Sequence, residues 1–64
     1  MSKVLAGHWV AVIRKNAAPF KGVLVYSETM GVVVDNNDET PDYRVRLFIP
    51  FNDIIEIQDT RRGP

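Results

Sequence analysis

The chain has 64 residues and 45% apolar composition, and its eight lysines and arginines balance eight aspartates and glutamates, so the formal net charge is zero. That length fits one domain, which buries only about 60% of the surface its unfolded chain exposes. The absence of cysteine excludes disulfides and thiolate zinc sites, and the single His8 cannot cage a metal unless several carboxylates converge on it, so self-association is the expected support for a small core.

Residues 9–14 are rich in β-branched and aromatic side chains and predict a first strand, closed by turn formers at 16–19. A second strand is expected over 22–26, a polar interruption at 27–29, and a third strand over 31–34. Residues 36–42 (Asn-Asn-Asp-Glu-Thr-Pro-Asp) form the plainest loop. A fourth strand over 43–49 alternates, with Tyr43, Val45, Leu47 and Ile49 pointing one way and Arg44, Arg46 and Phe48 the other. Residues 50–53 break it, and 54–58 supply a fifth strand. No stretch carries a long helical period, and residues 2–8 have room for one turn. The expected fold is therefore all-β: a small five-stranded barrel over residues 1–58, a strongly bent antiparallel sheet with Gly22 at a bend, followed by a flexible polar tail over 59–64. The 36–42 loop is too short for the helix of an OB-type barrel, which leaves an SH3-like or Sm-like arrangement.

No apolar run approaches the roughly 18 residues of a membrane helix, and the first ten residues lack a signal-peptide pattern. The expected location is the cytoplasm, with no membrane partner. Zero net charge removes the long-range attraction to phosphate that a basic chain would have. Its distribution is uneven, however. Lys3, Arg14, Lys15 and Lys21 make the first third basic, and Glu28, Asp35, Asp38, Glu39 and Asp42 make the middle acidic, a polarity that suits either a neighbouring copy or solvent.

Catalysis has almost no candidates. There is no thiol, Ser2 and Ser27 lie in no nucleophile motif, and His8 has no partner in the sequence to orient it. Asp38 and Glu39 sit in an open loop, unlike the rigid acid–base pair of a glycosidase. Gly22 and Gly31 belong to no phosphate-binding string and read as structural. Trp9, at the head of a strand, reads as a filler of the core or of an interface. The chain is thus expected to be non-enzymatic and to need no cofactor or metal.

In order along residues 5–58, Val10-x-Val12, then Phe20-x-Gly22-x-Leu24, then an acidic residue and Met30 ahead of a valine-rich strand, and finally Ile49 and Ile54 follow one another. This succession resembles the Sm-like family of small barrels, whose members form rings and mostly bind RNA. The resemblance implies a homo-oligomeric ring, with RNA contacts in the loops at Thr29, Met30, Gly31 and at Pro50, Phe51, Asn52. Gly31 stands where family members carry asparagine, Pro50-Phe51 stands where they carry Arg-Gly, and Glu28 is one position closer to Met30. The departures therefore fall on the RNA-contacting positions and leave the barrel pattern intact.

Arg44, Arg46 and Phe48 have two uses. Basic and aromatic residues side by side suit single-stranded nucleic acid. In an Sm-like ring, where the fourth strand of one copy meets the fifth of the next, the same three would face Ile55, Glu56 and Ile57 of a neighbour. The alternative function is an SH3-like interaction or structural assembly module without nucleic acid, in which Trp9, Tyr26, Tyr43 and Phe51 line a groove for a peptide partner.

Overall fold

The computed structural model describes residues 7–60. It is all-β, with five strands and no α-helix among the described residues: β1 Trp9–Arg14, β2 Phe20–Ser27, β3 Gly31–Asp35, β4 Arg46–Pro50 and β5 Ile54–Asp59. Two short 3-10 turns, Pro41–Tyr43 and Phe51–Asp53, lead into β4 and β5. The strands form one antiparallel sheet in the order β4-β3-β2-β1-β5.

The core lies on one face of this sheet. Val10 and Val12 of β1, Leu24 of β2, Val32 and Val34 of β3 and Ile49 of β4 are buried together, and Phe20, Leu47, Ile54 and Ile57 pack against them. Alternation along each strand sends these side chains inward. β1 and β3 are also covered on their opposite face, at Ala11 and Val33. The continuous apolar runs of their sequences are used on both sides for that reason.

The sheet bends at two register shifts, between Ile13 and Arg14 against β5 and between Leu24 and Tyr26 against β3. Gly22 lies on β2 opposite Val10, in a regular stretch of the ladder and not at either register shift, and a Cβ there would collide with the backbone carbonyl of Asp35. Only a residue without a side chain lets β2 pass this close to the end of β3. The β1–β2 turn is closed by Arg14, whose Nε and Nη2 donate to the Ala18 carbonyl at 2.9 and 2.7 Å while its guanidinium lies over the Phe20 ring.

The expected closure of the sheet on itself does not appear in the hydrogen-bond ladder: β4 and β5 are its two ends and do not pair with each other. The fourth strand is also shorter than expected. It begins at Arg46, and Pro41–Tyr43 is a 3-10 turn. The cause is Asn36, whose side-chain amide takes the place of a strand neighbour. Its Oδ1 accepts from the Val45 N–H at 2.9 Å and its Nδ2 donates to the Tyr43 carbonyl at 2.9 Å, while its own N–H donates to the Val45 carbonyl at 3.0 Å. Of the alternating set, Leu47 and Ile49 face the core, and Tyr43 and Val45 stay exposed.

At the other end β5 runs to Asp59, which pairs with Val10, and the Thr60 N–H and Oγ1 both donate to the Trp9 carbonyl, at 3.0 and 3.1 Å. The first two residues of the expected tail are therefore held to β1. Residues 61–64, and most of the turn expected over 2–8, lie outside the described residues.

Candidate functional site

The hairpin between β3 and β4 brings the two expected loop segments together. Gly31 pairs with Pro50, and the Phe51 N–H donates to the Met30 carbonyl at 2.8 Å. A Cβ on Gly31 would meet the Ile49 carbonyl and the tip of the Phe48 ring, so glycine here lets β4 lie tightly across the start of β3. The turn from β2 is fixed by the Glu28 N–H donating to the Gly31 carbonyl at 2.7 Å. Met30 is 71% exposed and Phe51 44% exposed at this end of the sheet, and Thr29 and Asn52 are exposed beside them in sequence.

The expected interface residues lie on the two outer strands and their approaches. Phe48 on β4 is 45% exposed and Ile55 on β5 is 61% exposed. Ile57 instead packs against the core, opposite Val12, so its side chain is partly used within the chain. Glu56 is exposed, and its Oε2 accepts from Gln58 Nε2 at 3.0 Å. Arg44 lies ahead of β4, in the segment that Asn36 holds.

Arg44 and Arg46 have a partner that was not evident from sequence. Asp35, the last residue of β3, is buried apart from 4% of its surface, and its carboxylate collects both guanidinium groups. Arg44 Nε donates to it at 3.2 and 3.3 Å and Arg46 Nε at 3.1 Å, and the Asn37 N–H donates to Oδ1 at 2.7 Å. Arg44 Nη2 also reaches Asn37 Oδ1 at 3.1 Å, in a turn where Asn37 has φ 55°. The Asn37 N–H and then Arg44 hold the Asp35 carboxyl below its ordinary value; burial opposes them, and Arg46 adds to the lowering. Two arginines placed nine and eleven residues after an aspartate that ends an apolar strand are the signal in the sequence that could have found this cluster.

The face opposite the core carries a cross-strand row. Tyr26 pairs with Val33, and Val33 pairs with Phe48. Val33 is buried between two rings that are each nearly half exposed. Trp9, paired with Val23 on this same face and half-buried, is not in the core cluster.

His8 has an Nδ1 contact of 3.2 Å with Asp59 Oδ2, which ties the approach to β1 to the end of β5. Among the described residues no group of His, Asp and Glu is placed to hold a metal ion, and no helix is long and apolar enough to cross a membrane. The site thus belongs to a small all-β domain, one bent antiparallel sheet whose two outer strands are not paired on their far side by any strand of the described residues, with an apolar, partly aromatic end. No protein-family model, curated protein or solved structure matches the chain.

Proposed function

We propose that the chain is a non-enzymatic assembly module of Sm-like type, a bent sheet close to a barrel, whose copies join edge to edge into a homo-oligomeric ring. The observation that carries this reading is the pair of outer strands, β4 and β5, which no strand of the described residues pairs on the far side and which bear the exposed side chains of Phe48 and Ile55. An unpaired edge offers a row of N–H and C=O groups to another chain, and proteins that remain apart usually blunt such edges. A small core gains most from that added burial.

RNA is the ligand this assembly would take, at the surface built from Thr29, Met30, Gly31, Pro50, Phe51 and Asn52. The exposed Phe51 ring beside Met30 supports it, because bases stack on such platforms without regard to sequence. The second reading, an SH3-like peptide module, draws on the exposed Tyr26, Tyr43 and Phe51 side chains.

Light scattering after size exclusion separates the two, combined with anisotropy of a labelled oligo-uridine. A mass of several protomers together with RNA binding supports the ring as a binder; the same mass without it supports a structural assembly. A monomer at micromolar concentration sinks the ring and leaves the peptide module.

A further inference from the structure

Arg44 and Arg46 bring two positive charges to one carboxylate, so the cluster at the end of β3 carries one charge more than Asp35 neutralises. The surplus is fixed in place. Asp35 is buried with both oxygens filled: Oδ1 accepts from the Asn37 N–H and Arg44 Nε, and Oδ2 from Arg44 Nε and Nη2 and from Arg46 Nε. Arg44 Nη2 also donates to Asn37 Oδ1. Among the described residues, Arg44 Nη1 and both terminal nitrogens of Arg46 are left with no acceptor, on side chains that are 50% and 61% exposed. Guanidinium groups held from behind by a carboxylate have already lost rotamer freedom, and they offer fixed N–H groups to an anion in front.

The register sets an aromatic platform beside these donors. Arg46 pairs with Asp35 and Phe48 with Val33, so Arg46 and Phe48 share the face of β4 opposite the core, about 7 Å apart along the strand. Across that face Asp35 pairs with Val23 and Val33 with Tyr26, and Lys21, two residues before Val23, is exposed on the same side. The Phe48 ring tip lies beside Gly31, at the end of β4 away from Arg46. The guanidinium and the ring would therefore take different parts of one ligand.

The charges nearby limit that ligand to a single anionic group. The loop joining β3 to β4 carries Asp38, Glu39 and Asp42 at the same end of these strands, and the chain as a whole has no net charge. A run of phosphates would pass those carboxylates; one phosphate on the arginines need not. Its three terminal oxygens match donors from two guanidinium forks, and a base stacks on an exposed ring whatever its sequence.

We propose that Arg44 and Arg46, backed by Asp35, clamp the phosphate of a nucleoside 5′-monophosphate whose base lies on Phe48 and Tyr26. Asp35 touches no ligand and acts as a positioning residue. The phosphate belongs either to a free nucleotide or to the 5′ end of an RNA, since both present the same group. The inference does not rest on the edge-to-edge reading, and its phosphate contacts lie outside segments 29–31 and 50–52.

The test is an NMR titration of the full chain with adenosine 5′-monophosphate (AMP), read on the Nε–H signals of Arg44 and Arg46 and the ring signals of Phe48. AMP is expected to move all three, with adenosine and inorganic phosphate each binding at least tenfold more weakly. Arg46→Gln keeps a donor for Asp35 and Phe48→Leu keeps an apolar cover on Val33; each should weaken AMP about tenfold, with circular dichroism confirming the fold. Lys15→Gln, which removes a charge just past the end of β1, should stay within twofold of the wild type. A 5′-phosphorylated oligoadenylate that binds tenfold tighter than AMP assigns the clamp to RNA ends, and one that binds no tighter assigns it to free nucleotide; either supports it. No movement at about 10 mM AMP, which would fill most of a site with a Kd of about 1 mM, overturns the proposal. So does adenosine or inorganic phosphate binding as tightly as AMP, or a loss for Lys15→Gln equal to that for Arg46→Gln. None of these readouts depends on whether copies assemble.

Discussion

β3 buries all five of its residues, while β5, which has three isoleucines among six residues, buries none of them fully. The residue types are similar; the neighbours differ. β3 is flanked by β2 and β4 and lies under side chains on both faces, whereas β5 has β1 on one side and no strand of the described residues on the other. Apolar content alone therefore does not say how a strand is used. In the centre of the sheet it stabilises the fold, and at the edge the same content stays largely exposed.

The widest separation between the two regions is expected from a pair of isoleucines. Ile49→Ala removes a side chain that is 1% exposed and packed with Val32 and Val34, and should cost about 2–5 kcal/mol. A core this small rarely supplies more than roughly 3–5 kcal/mol, so that variant should keep no more than about 3 kcal/mol and its urea midpoint at 25 °C should fall steeply. Ile55→Ala should change the stability of the isolated protomer by no more than about 0.5 kcal/mol. If copies join edge to edge as proposed, its effect should fall on the assembly, as a loss of mass by light scattering. If Ile55→Ala unfolds the protomer as readily as Ile49→Ala, the division between core and edge fails.

Gly22→Ala probes how closely the central strands approach. The added methyl meets the Asp35 carbonyl, which is backbone and cannot rotate away, so β2 and β3 must separate. The expected cost is about 1–3 kcal/mol, the range for forcing extra volume into a packed site. A thermal midpoint equal to that of the wild type would show that the close approach of β2 to the end of β3 does not depend on glycine.

The central strands were legible because their apolar runs have one use, as strands covered by neighbours on both sides. The start of β4 was not, because Tyr43 and Val45 continue an alternating pattern that the backbone does not follow. Asn36 satisfies their polar groups with a side-chain amide, and nothing in a periodicity argument registers that substitution. Residues 29–31 and 50–52 could be singled out separately, but their adjacency depends on Gly31 facing Pro50, a register that only the folded hairpin provides. Asp35 was missed for a related reason. At the border between Val32-Val33-Val34 and Asn36-Asn37 it reads as the first loop residue, yet it is the buried end of the strand.

That burial gives Asp35 a smaller, pH-dependent effect, which tests whether the approach to β4 is held or merely adjacent. Because the Asn37 N–H, Arg44 and Arg46 hold its carboxyl below the ordinary value of 3.8, the folded chain binds this proton less readily than the unfolded chain does. The stabilisation is fully present above that ordinary value and is lost as pH falls through the lower, folded one. Thermal midpoints measured from pH 7 down to pH 2 should therefore drop for the wild type in the most acidic part of the range. Asp35→Asn should lower the midpoint at pH 7 and flatten the acid limb, since its amide gains and loses no proton there. It also leaves Arg44 and Arg46 without their carboxylate, so the start of β4 should be less firmly placed and stability should fall with it. An Asp35→Asn protein with an unchanged acid limb would assign the acid sensitivity to other carboxylates and reduce the cluster to a surface contact.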